Sequence, residues 1–273
     1  MRNTGNRLPR SPTSKEPPLQ ISVQLYSVRE ALGTDPVGTL TRLRDLGLRE
    51  VEPFGLVEHA AMLRSALPDL GLRAPTTHAD LLGAEDQRAL FATAAELGIG
   101  TVIQPHRDPD LWKDEAEIRH TAELLDAAAE TARGEGVRVG YHNHGFEADP
   151  RFEGRTGLEV LDGALGPDVV LEVDTYWAAV GGSDPVTLLG TLGDRVRAVH
   201  LKDGPRSGSK AEQQPLGRGE IDVDAIVAAS RSAGHLGVIE FDDYAGDIFE
   251  GVAASLAYLQ DHDDNDDEKD PRA

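Results

Sequence analysis

One pattern repeats along most of this 273-residue chain and limits the folds open to it: a short apolar or β-branched run, a polar turn, then a longer stretch with helical periodicity. Eight such runs predict strands, at residues 19–26, 48–54, 72–78, 100–106, 137–144, 169–174, 196–203 and 237–243. Between them lie helix signals, as at Asp35 and Pro36, where a capping residue precedes a proline suited to a first turn. Eight strand-helix units in about 240 residues are typical of an α/β protein with a single-domain (β/α)8 TIM barrel. A doubly wound sheet usually has a Gly-rich phosphate turn after its first strand, and no G-x-G-x-x-G follows the first run.

The two ends of the chain differ in composition from the repeating region. Residues 1–18 are polar and Pro-rich, and seven carboxylates and one lysine lie between Asp261 and Asp270. Such segments lack the apolar side chains that a packed core requires. We therefore predict that residues 19–260 form the barrel and that residues 1–18 and 261–273 are disordered.

The charge of the chain limits its partners. A formal net charge of -21 argues against nucleic acid and anionic membranes, which bind proteins mainly through clustered lysine and arginine. No stretch has the apolar length of a signal peptide's core or of a membrane span. Because the chain has no cysteine, disulfides and thiolate chemistry are excluded, which fits a reducing compartment. We expect a cytoplasmic protein without nucleic-acid or membrane partners. Whether it forms a homo-oligomer is left open.

Polar and ionisable side chains end nearly every predicted strand, where TIM barrels carry their catalytic groups. They are Gln24, Tyr26, Glu52, His78, Gln104, His106, His142, His144, Glu147, Glu172, Asp174, His200, Lys202, Asp203, Glu240 and Asp242. Because side chains alternate along a strand, residues two apart, such as His142 and His144, share one face. Asp203 and Asp242 also suit the capping of turns. Burying so many ionisable groups near one axis is costly without a partner, and a divalent cation is the simplest partner, so the pattern predicts a metal site.

Five stretches carry a family resemblance. In the order "YHNHGFE", "LEVDTYWAAVGGSDP", "VHLKD", "PLGRGEID" and "VIEFDD", they resemble the sugar phosphate isomerase/epimerase family, the xylose-isomerase-like TIM barrels. The resemblance covers most of residues 19–259 and is strongest in the second half. It implies a divalent metal bound at the ends of the last four strands, with Asp174, His200 and Glu240 as three of its ligands.

The fourth ligand departs from the family pattern. Where many relatives have glutamate in an "E-N-H" triplet, this chain has His142 in "H-N-H". Either His142 binds the metal, or Glu147 turns back from the following loop to supply a carboxylate. Two imidazoles and two carboxylates suit Mn, Co, Zn or Fe better than Mg or Ca. We expect Mn first, then Zn or Co.

The resemblance implies chemistry on a keto sugar. A cation chelated by a carbonyl and its neighbouring hydroxyl would stabilise the enediolate that forms when a base removes the α-proton. Our first prediction is an isomerase or epimerase of carbohydrate metabolism, with Glu240 and His144 as candidate bases and Lys202 holding or protonating an oxygen. The predicted sugar-binding residues are Glu52, His78 and His106. Trp177 either offers an apolar wall to a sugar face or packs under the loop.

Other functions stay open beside this one. Relatives with "YHNH" also resemble inosose dehydratases and 3-keto-glycoside lyases, so elimination from a keto sugar or keto-inositol is an alternative. A barrel that binds sugar without catalysis is a second alternative. Apurinic endonucleases of the same barrel family are disfavoured because this chain lacks the basic surface that DNA binding needs. Arg206, Lys210 and Arg218, before the last strand, could meet a phosphate, but we favour a solvated loop.

Overall fold

The computed structural model describes residues 18–149 and 151–268. Within them, seven parallel strands form one sheet whose neighbours follow the order β1-β9-β8-β7-β4-β3-β2. The strands are β1 (Gln20–Val23), β2 (Thr76–His78), β3 (Thr101–Gln104), β4 (Arg138–His142), β7 (Val169–Asp174), β8 (Val196–Leu201) and β9 (Leu236–Ile239). A separate antiparallel hairpin contains β5 (Arg151–Phe152) and β6 (Arg155–Thr156).

Residues 48–54, the second predicted strand, close the sheet into a barrel without forming a regular strand. Two isolated parallel bridges hold them to their neighbours, Gln24 with Glu52 and Glu50 with Arg73. In a regular ladder, the next N–H donors beyond the second bridge would belong to Pro53 and Pro75, and proline has no N–H to donate. The predicted TIM barrel is confirmed, with regular strands at seven of the eight predicted positions among the described residues.

Helices follow the strands and cover the barrel. They are α1 (Arg29–Thr34), α2 (Pro36–Asp45), α3 (Leu56–Leu70), α4 (Gln87–Glu96), α5 (Glu115–Arg133), α6 (Gly157–Ala164), α7 (Thr175–Val180), α8 (Pro185–Leu192), α9 (Val223–Ala233) and α10 (Ile248–Glu268). Short 3-10 helices lie at Leu25–Val28, Pro109–Lys113, Gly145–Glu147, Gly193–Arg195 and Lys210–Glu212. The predicted cap of α2 is confirmed, since Asp35 Oδ1 accepts the N–H of Gly38 at 3.0 Å and Pro36 is the first helical residue. Asp184 caps α8 in the same way.

The interior of the barrel positions the functional side chains. Every residue of β7 is buried, as expected for a strand with core on both faces. Alternation along β7 puts Glu172 and Asp174 on one face and Val173 on the other. The carboxylates of Glu172 and Asp174 lie beside histidines of β4 and β8, so this face of the strand is where the ionisable side chains meet.

The predicted ends of the barrel are only partly within the described residues. Helix α10 continues to Glu268, so the predicted boundary at residue 261 does not coincide with a helix end. The lead-in through residue 17 and the tail from residue 269 lie outside the described residues. Among the residues that are described, none of the helices combines the length and the apolar character of a membrane span.

Candidate metal centre and active site

Four side chains from neighbouring strand ends meet at one place. His142 ends β4, Asp174 ends β7, His200 lies one residue before the end of β8, and Glu240 directly follows β9. All four are buried, and one potential ligand atom from each lies within 4.8 Å of the others. Four atoms that are each about 2.1 Å from one cation are separated by about 3–4 Å, so small shifts would let this group hold a metal ion. The group contains His142, the predicted replacement for the family's glutamate.

Glu172 belongs to a second group of donor atoms, which shares His142 and His200 with the first and adds His78. Its Oε2 atom lies 2.6 Å from His78 Nε2, 3.1 Å from His142 Nδ1 and 3.0 Å from His200 Nε2. One carboxylate oxygen therefore contacts three imidazoles. Because these residues are all buried, water does not compete for the contacts.

Glu52, which we predicted to bind sugar hydroxyls, is surrounded by protein groups. Gln24 Nε2 donates to its Oε1 atom at 2.8 Å, Thr76 Oγ1 donates to its Oε2 atom, and His200 Nε2 lies 2.8 Å from Oε1. Burial and the charge of Glu172 raise the pKa of Glu52. The carboxyl group thus helps to fix the imidazole of His200.

Lys202 supplies positive charge beside the carboxylates of the first group. Its Nζ atom lies 2.8 Å from Asp174 Oδ2, 2.6 Å from Glu240 Oε2 and 2.8 Å from Asp242 Oδ2. Burial disfavours the charged amine, but the three carboxylates outweigh it and hold the pKa of Lys202 well above its usual value. The ammonium group therefore stays charged and keeps these carboxylates in place.

The imidazoles differ in protonation. Burial and the neighbouring His200 lower the pKa of His142 to about 4. For His200, burial opposes protonation, but Glu172 and Glu240 raise its pKa well above the usual value. Burial also raises the pKa of Asp174 to about 6. Since a histidine binds metal through a deprotonated nitrogen, His142 already has the required form, whereas His200 would release a proton on binding.

Asn143 and Glu147, in the stretch after β4, accept hydrogen bonds from other protein groups. Asn143 Oδ1 accepts the N–H of Asp174 at 3.0 Å, which ties the ends of β4 and β7 together. Glu147 does turn back, but it accepts the Tyr141 hydroxyl at 2.8 Å and the His144 N–H at 2.7 Å. The alternative ligand Glu147 therefore belongs to neither group of donor atoms. Burial raises its pKa to about 8.

A cavity of about 280 Å³ borders the first group of donor atoms. His142 and Glu240 contribute to its wall, and the predicted site residues His78, His106 and His144 do so as well. Burial and the nearby His142 lower the pKa of His144 well below its usual value. A neutral imidazole thus borders the cavity, and its buried Nδ1 atom has no hydrogen-bond partner among the described residues.

Trp177 and Asp203 have mainly structural contacts. The Trp177 indole is buried, its Nε1–H donates to Asp242 Oδ2 at 3.1 Å, and its backbone N–H donates to Asp174 Oδ1 at 2.8 Å. These contacts favour the packing interpretation over an apolar wall for sugar. Asp203 accepts the backbone N–H groups of Gly204, Gly219 and Ile221, as expected of a turn-capping residue.

Sequence patterns predicted no specific role for several residues at the centre. They are Glu172, Asp80, Tyr26 and Phe54. The signal for Glu172 was available, since it lies two residues before Asp174 and therefore shares its face of the strand. Asp80 follows the end of β2 in a loop, where no periodicity indicates which way a side chain points.

Comparisons with known proteins agree with this fold. Residues 41–262 match the profile of a family described as xylose isomerase-like TIM barrel. Over 123 residues the chain is 31% identical to an inosose dehydratase of Geobacillus kaustophilus, a match covering 43% of this chain and only 39% of that protein. A sugar phosphate isomerase/epimerase structure from Parabacteroides distasonis superposes with a TM-score of 0.74 at 24% identity, covering 91% of this chain and 96% of the other. An IOLI protein structure with a bound zinc atom gives a TM-score of 0.72 at 16% identity, covering 89% of this chain and 98% of the other.

Proposed function

The chain belongs to the xylose isomerase-like TIM barrel family, and from this premise we propose that it is a divalent-metal-dependent isomerase or epimerase, acting on a keto sugar or sugar derivative through an enediolate. The observation that supports this best is the convergence of His142, Asp174, His200 and Glu240 beside a cavity of about 280 Å³. The proposal includes a small sugar substrate, manganese as the first choice of metal with zinc or cobalt as alternatives, and a cytoplasmic location.

The residues of the centre fit a divalent cation by their chemistry. His142, Asp174, His200 and Glu240 would hold it, and a bound cation would polarise a carbonyl and its neighbouring hydroxyl. Glu172 contacts Nδ1 of His142, and Asp174 lies on the Nε2 side of that ring. Glu172 also contacts Nε2 of His200, whose Nδ1 atom lies against Glu240. The contacts of Glu172 therefore orient both rings.

We assign proton transfer to residues that line the cavity. We propose His144 as the base, because its neutral ring borders the cavity and its Nδ1 atom is unpaired among the described residues. Glu240 is the alternative base. Burial would raise the pKa of Glu240, but Lys202 and His200 outweigh it and keep the carboxylate ionised. Lys202 holds Glu240 in position through its 2.6 Å contact.

The match to an inosose dehydratase favours elimination as the second candidate function. Both reactions begin when a base removes a proton next to a carbonyl, so the same side chains serve both. They differ in outcome, because an isomerase exchanges the α-proton with solvent and keeps the hydroxyls, whereas a dehydratase releases water. A barrel that only binds sugar would do neither.

Metal content tests the proposed centre. We expect wild type to bind about one divalent cation, and Asp174→Ala, His200→Ala and Glu240→Ala to lose it. His142→Ala should weaken metal affinity by about tenfold to a hundredfold or more, since loss of a ligand costs at least as much as loss of a residue that orients one. His106 lines the cavity but belongs to neither group of donor atoms, so His106→Ala is the control and should keep its metal. Near-stoichiometric metal in all of the Asp174, His200 and Glu240 variants would contradict the assignment.

Two further variants separate the ligand from the base. Glu147→Gln should keep the metal; if it loses the metal while His142→Ala retains it, Glu147 is the ligand. His144→Ala should keep the metal and lose deuterium uptake at the α-carbon of keto sugars in heavy water. Uptake at the wild-type rate in His144→Ala would transfer the role of base to Glu240.

A further inference from the structure

The charged groups around the cavity bear on the class of substrate. Three carboxylates line it, those of Asp80, Glu240 and Asp242. Among the described residues that line it, Lys210 is the only lysine or arginine, and its exposed ammonium already lies 3.7 Å from Asp242 Oδ1. A cation at the candidate centre would be balanced by its own two carboxylate ligands, Asp174 and Glu240. Asp242 is paired with Lys202 at 2.8 Å, whereas Asp80 has no ion-pair partner among the described residues. A phosphate dianion would therefore find Lys210 as its one cationic partner on the wall and would be repelled by Asp80.

Backbone N–H groups are the other common partners of phosphate, and in TIM barrels they come from the loops after the last two strands. In the loop after β8, the Asp203 carboxylate occupies the amides of Gly204, Gly219 and Ile221 at 2.8, 2.9 and 3.1 Å. The protein's own carboxylate thus fills the position where an anion would otherwise bind.

Several amides of the loop after β9 also have acceptors within the protein. The amide of Asp242 donates to Gln213 Oε1 at 2.7 Å, and that of Phe241 donates to the Ser27 hydroxyl at 3.0 Å. At the start of α10, Asp247 Oδ1 accepts the amides of Phe249 and Glu250 at 2.9 and 3.1 Å. The first turn of this helix is therefore capped by a carboxylate and would repel a second anion.

The remaining wall of the cavity is partly aromatic. Tyr26 and Phe54 both line it, and their rings meet edge to face with centroids 5.4 Å apart. Tyr26 stays 39% exposed, and Arg29 lies over its ring with Cζ 4.3 Å from the centroid, so the uncovered part of the ring is available to a ligand. Aromatic faces pack against the C–H face of a sugar ring, which requires no charge on the ligand. The volume lies near the lower limit for ligand pockets, about 300 Å³, which suits one ring rather than an oligosaccharide.

From these contacts we propose that the substrate is an uncharged, single-ring keto sugar or keto-polyol, and that the corresponding phosphorylated sugar binds more weakly. The proposal rests on the proposed function, whose metal centre it takes as given. It also assigns Asp80 a role in specificity, because its carboxylate borders the cavity without belonging to either group of metal-donor atoms.

Matched pairs of ligands test the proposal by binding alone. Full-length, manganese-loaded protein would be titrated calorimetrically with fructose and fructose 6-phosphate, psicose and psicose 6-phosphate, and an inosose and its phosphate, at low ionic strength. We expect the neutral member to bind at least tenfold more tightly in each pair that binds. Equal or tighter binding of a phosphate ester, or no binding by any neutral member, would overturn it. Metal stoichiometry of the same samples checks the proposed function separately.

Asp80→Asn tests the electrostatic cause. Asparagine keeps an oxygen for the contacts of Asp80 Oδ1 with Gln104 Nε2 at 2.9 Å and Gly83 N–H at 3.2 Å, but it removes the charge. The preference for the neutral ligand should fall several-fold. Asp86→Asn is the control, since Asp86 caps α4 through Ala89 N–H and does not line the cavity. If Asp80→Asn keeps the same preference as Asp86→Asn, the repulsion does not come from Asp80.

Discussion

Glu172 is a single carboxylate that contacts three imidazoles, and it favours the protonated form of each. Burial would raise the pKa of Glu172, but His200 and His78 outweigh burial and keep the pKa well below its usual value. In return, Glu172 is a main cause of the raised pKa of His200 and contributes to that of His78. Relatives with glutamate in the "E-N-H" triplet have a carboxylate where His142 stands, and in this chain Glu172 places a negative charge beside that imidazole.

We predict that Glu172→Gln weakens metal binding by about tenfold to a hundredfold, because the variant keeps the shape but removes the charged acceptor that orients His142 and His200. Competition with a chelating dye would measure the affinity. Glu50→Gln is the matched control, since Glu50 is also buried but pairs with Arg73 away from the centre. Equal affinities in the two variants would contradict the role given to Glu172.

Alternation along the strands put the residues of the first donor group among the strand-end candidates, and the family resemblance implied Asp174, His200 and Glu240 as ligands. The contacts of Glu172 could not be predicted, because they depend on three strands curving toward one axis. Likewise, nothing local distinguishes a Glu147 that faces a metal from one that accepts Tyr141. The residues that follow strand periodicity were therefore predictable, and those that depend on the loop's path were not.

At the scale of elements, helix starts were predicted well and strand regularity less well. Aspartate followed by proline marks the first turns of α2 and α8, since capping is a local interaction. The irregular second strand position has a cause visible in the sequence, Pro53 and Pro75, but their effect depends on which residues face each other across the barrel. The continuation of α10 into an acidic stretch was not predicted either.

The turn after β4 makes a prediction about pH. Glu147 has an ordinary pKa of 4.5 and one of about 8 in the folded protein. Between these values the folded state keeps a proton that the unfolded state has released, so the free energy of unfolding falls as pH rises. Glu147→Gln has no such proton to release. Its free energy of unfolding relative to that of wild type should therefore increase by on the order of a few kcal/mol between pH 5 and pH 8.5. Urea unfolding at both pH values would measure it, and parallel pH profiles would contradict it.

At the scale of the whole molecule, the count of eight units was enough to predict the barrel, because few architectures bury so many alternating strands and helices. The limits of the folded unit are less sharp. Leu256 and Leu259 are 4% and 1% exposed in α10, so the core extends nearly to residue 260. From residue 261 the sequence is mainly acidic and contains none of the large apolar residues that could form a packed face.

We predict that a chain of residues 18–260 unfolds within a few degrees of the full-length protein, because the residues removed carry no buried apolar side chain among those described. A chain of residues 18–255 loses Leu256 and Leu259, and its Tm should fall by on the order of 10 °C. Calorimetry of the three chains would compare them. A large loss of Tm in the chain of residues 18–260 would show that one of the removed ends packs on the barrel.

The seam at residues 48–54 has a consequence for local opening. Its backbone is joined to the neighbouring strands by isolated bridges, while the Glu52 side chain reaches Gln24, Thr76 and His200. The carboxyl group that fixes a candidate metal ligand therefore also links residues 48–54 to side chains on both sides of the seam. Fluctuations that part the seam must disorder the centre, and any occupant that holds His200 must slow amide hydrogen exchange along the seam.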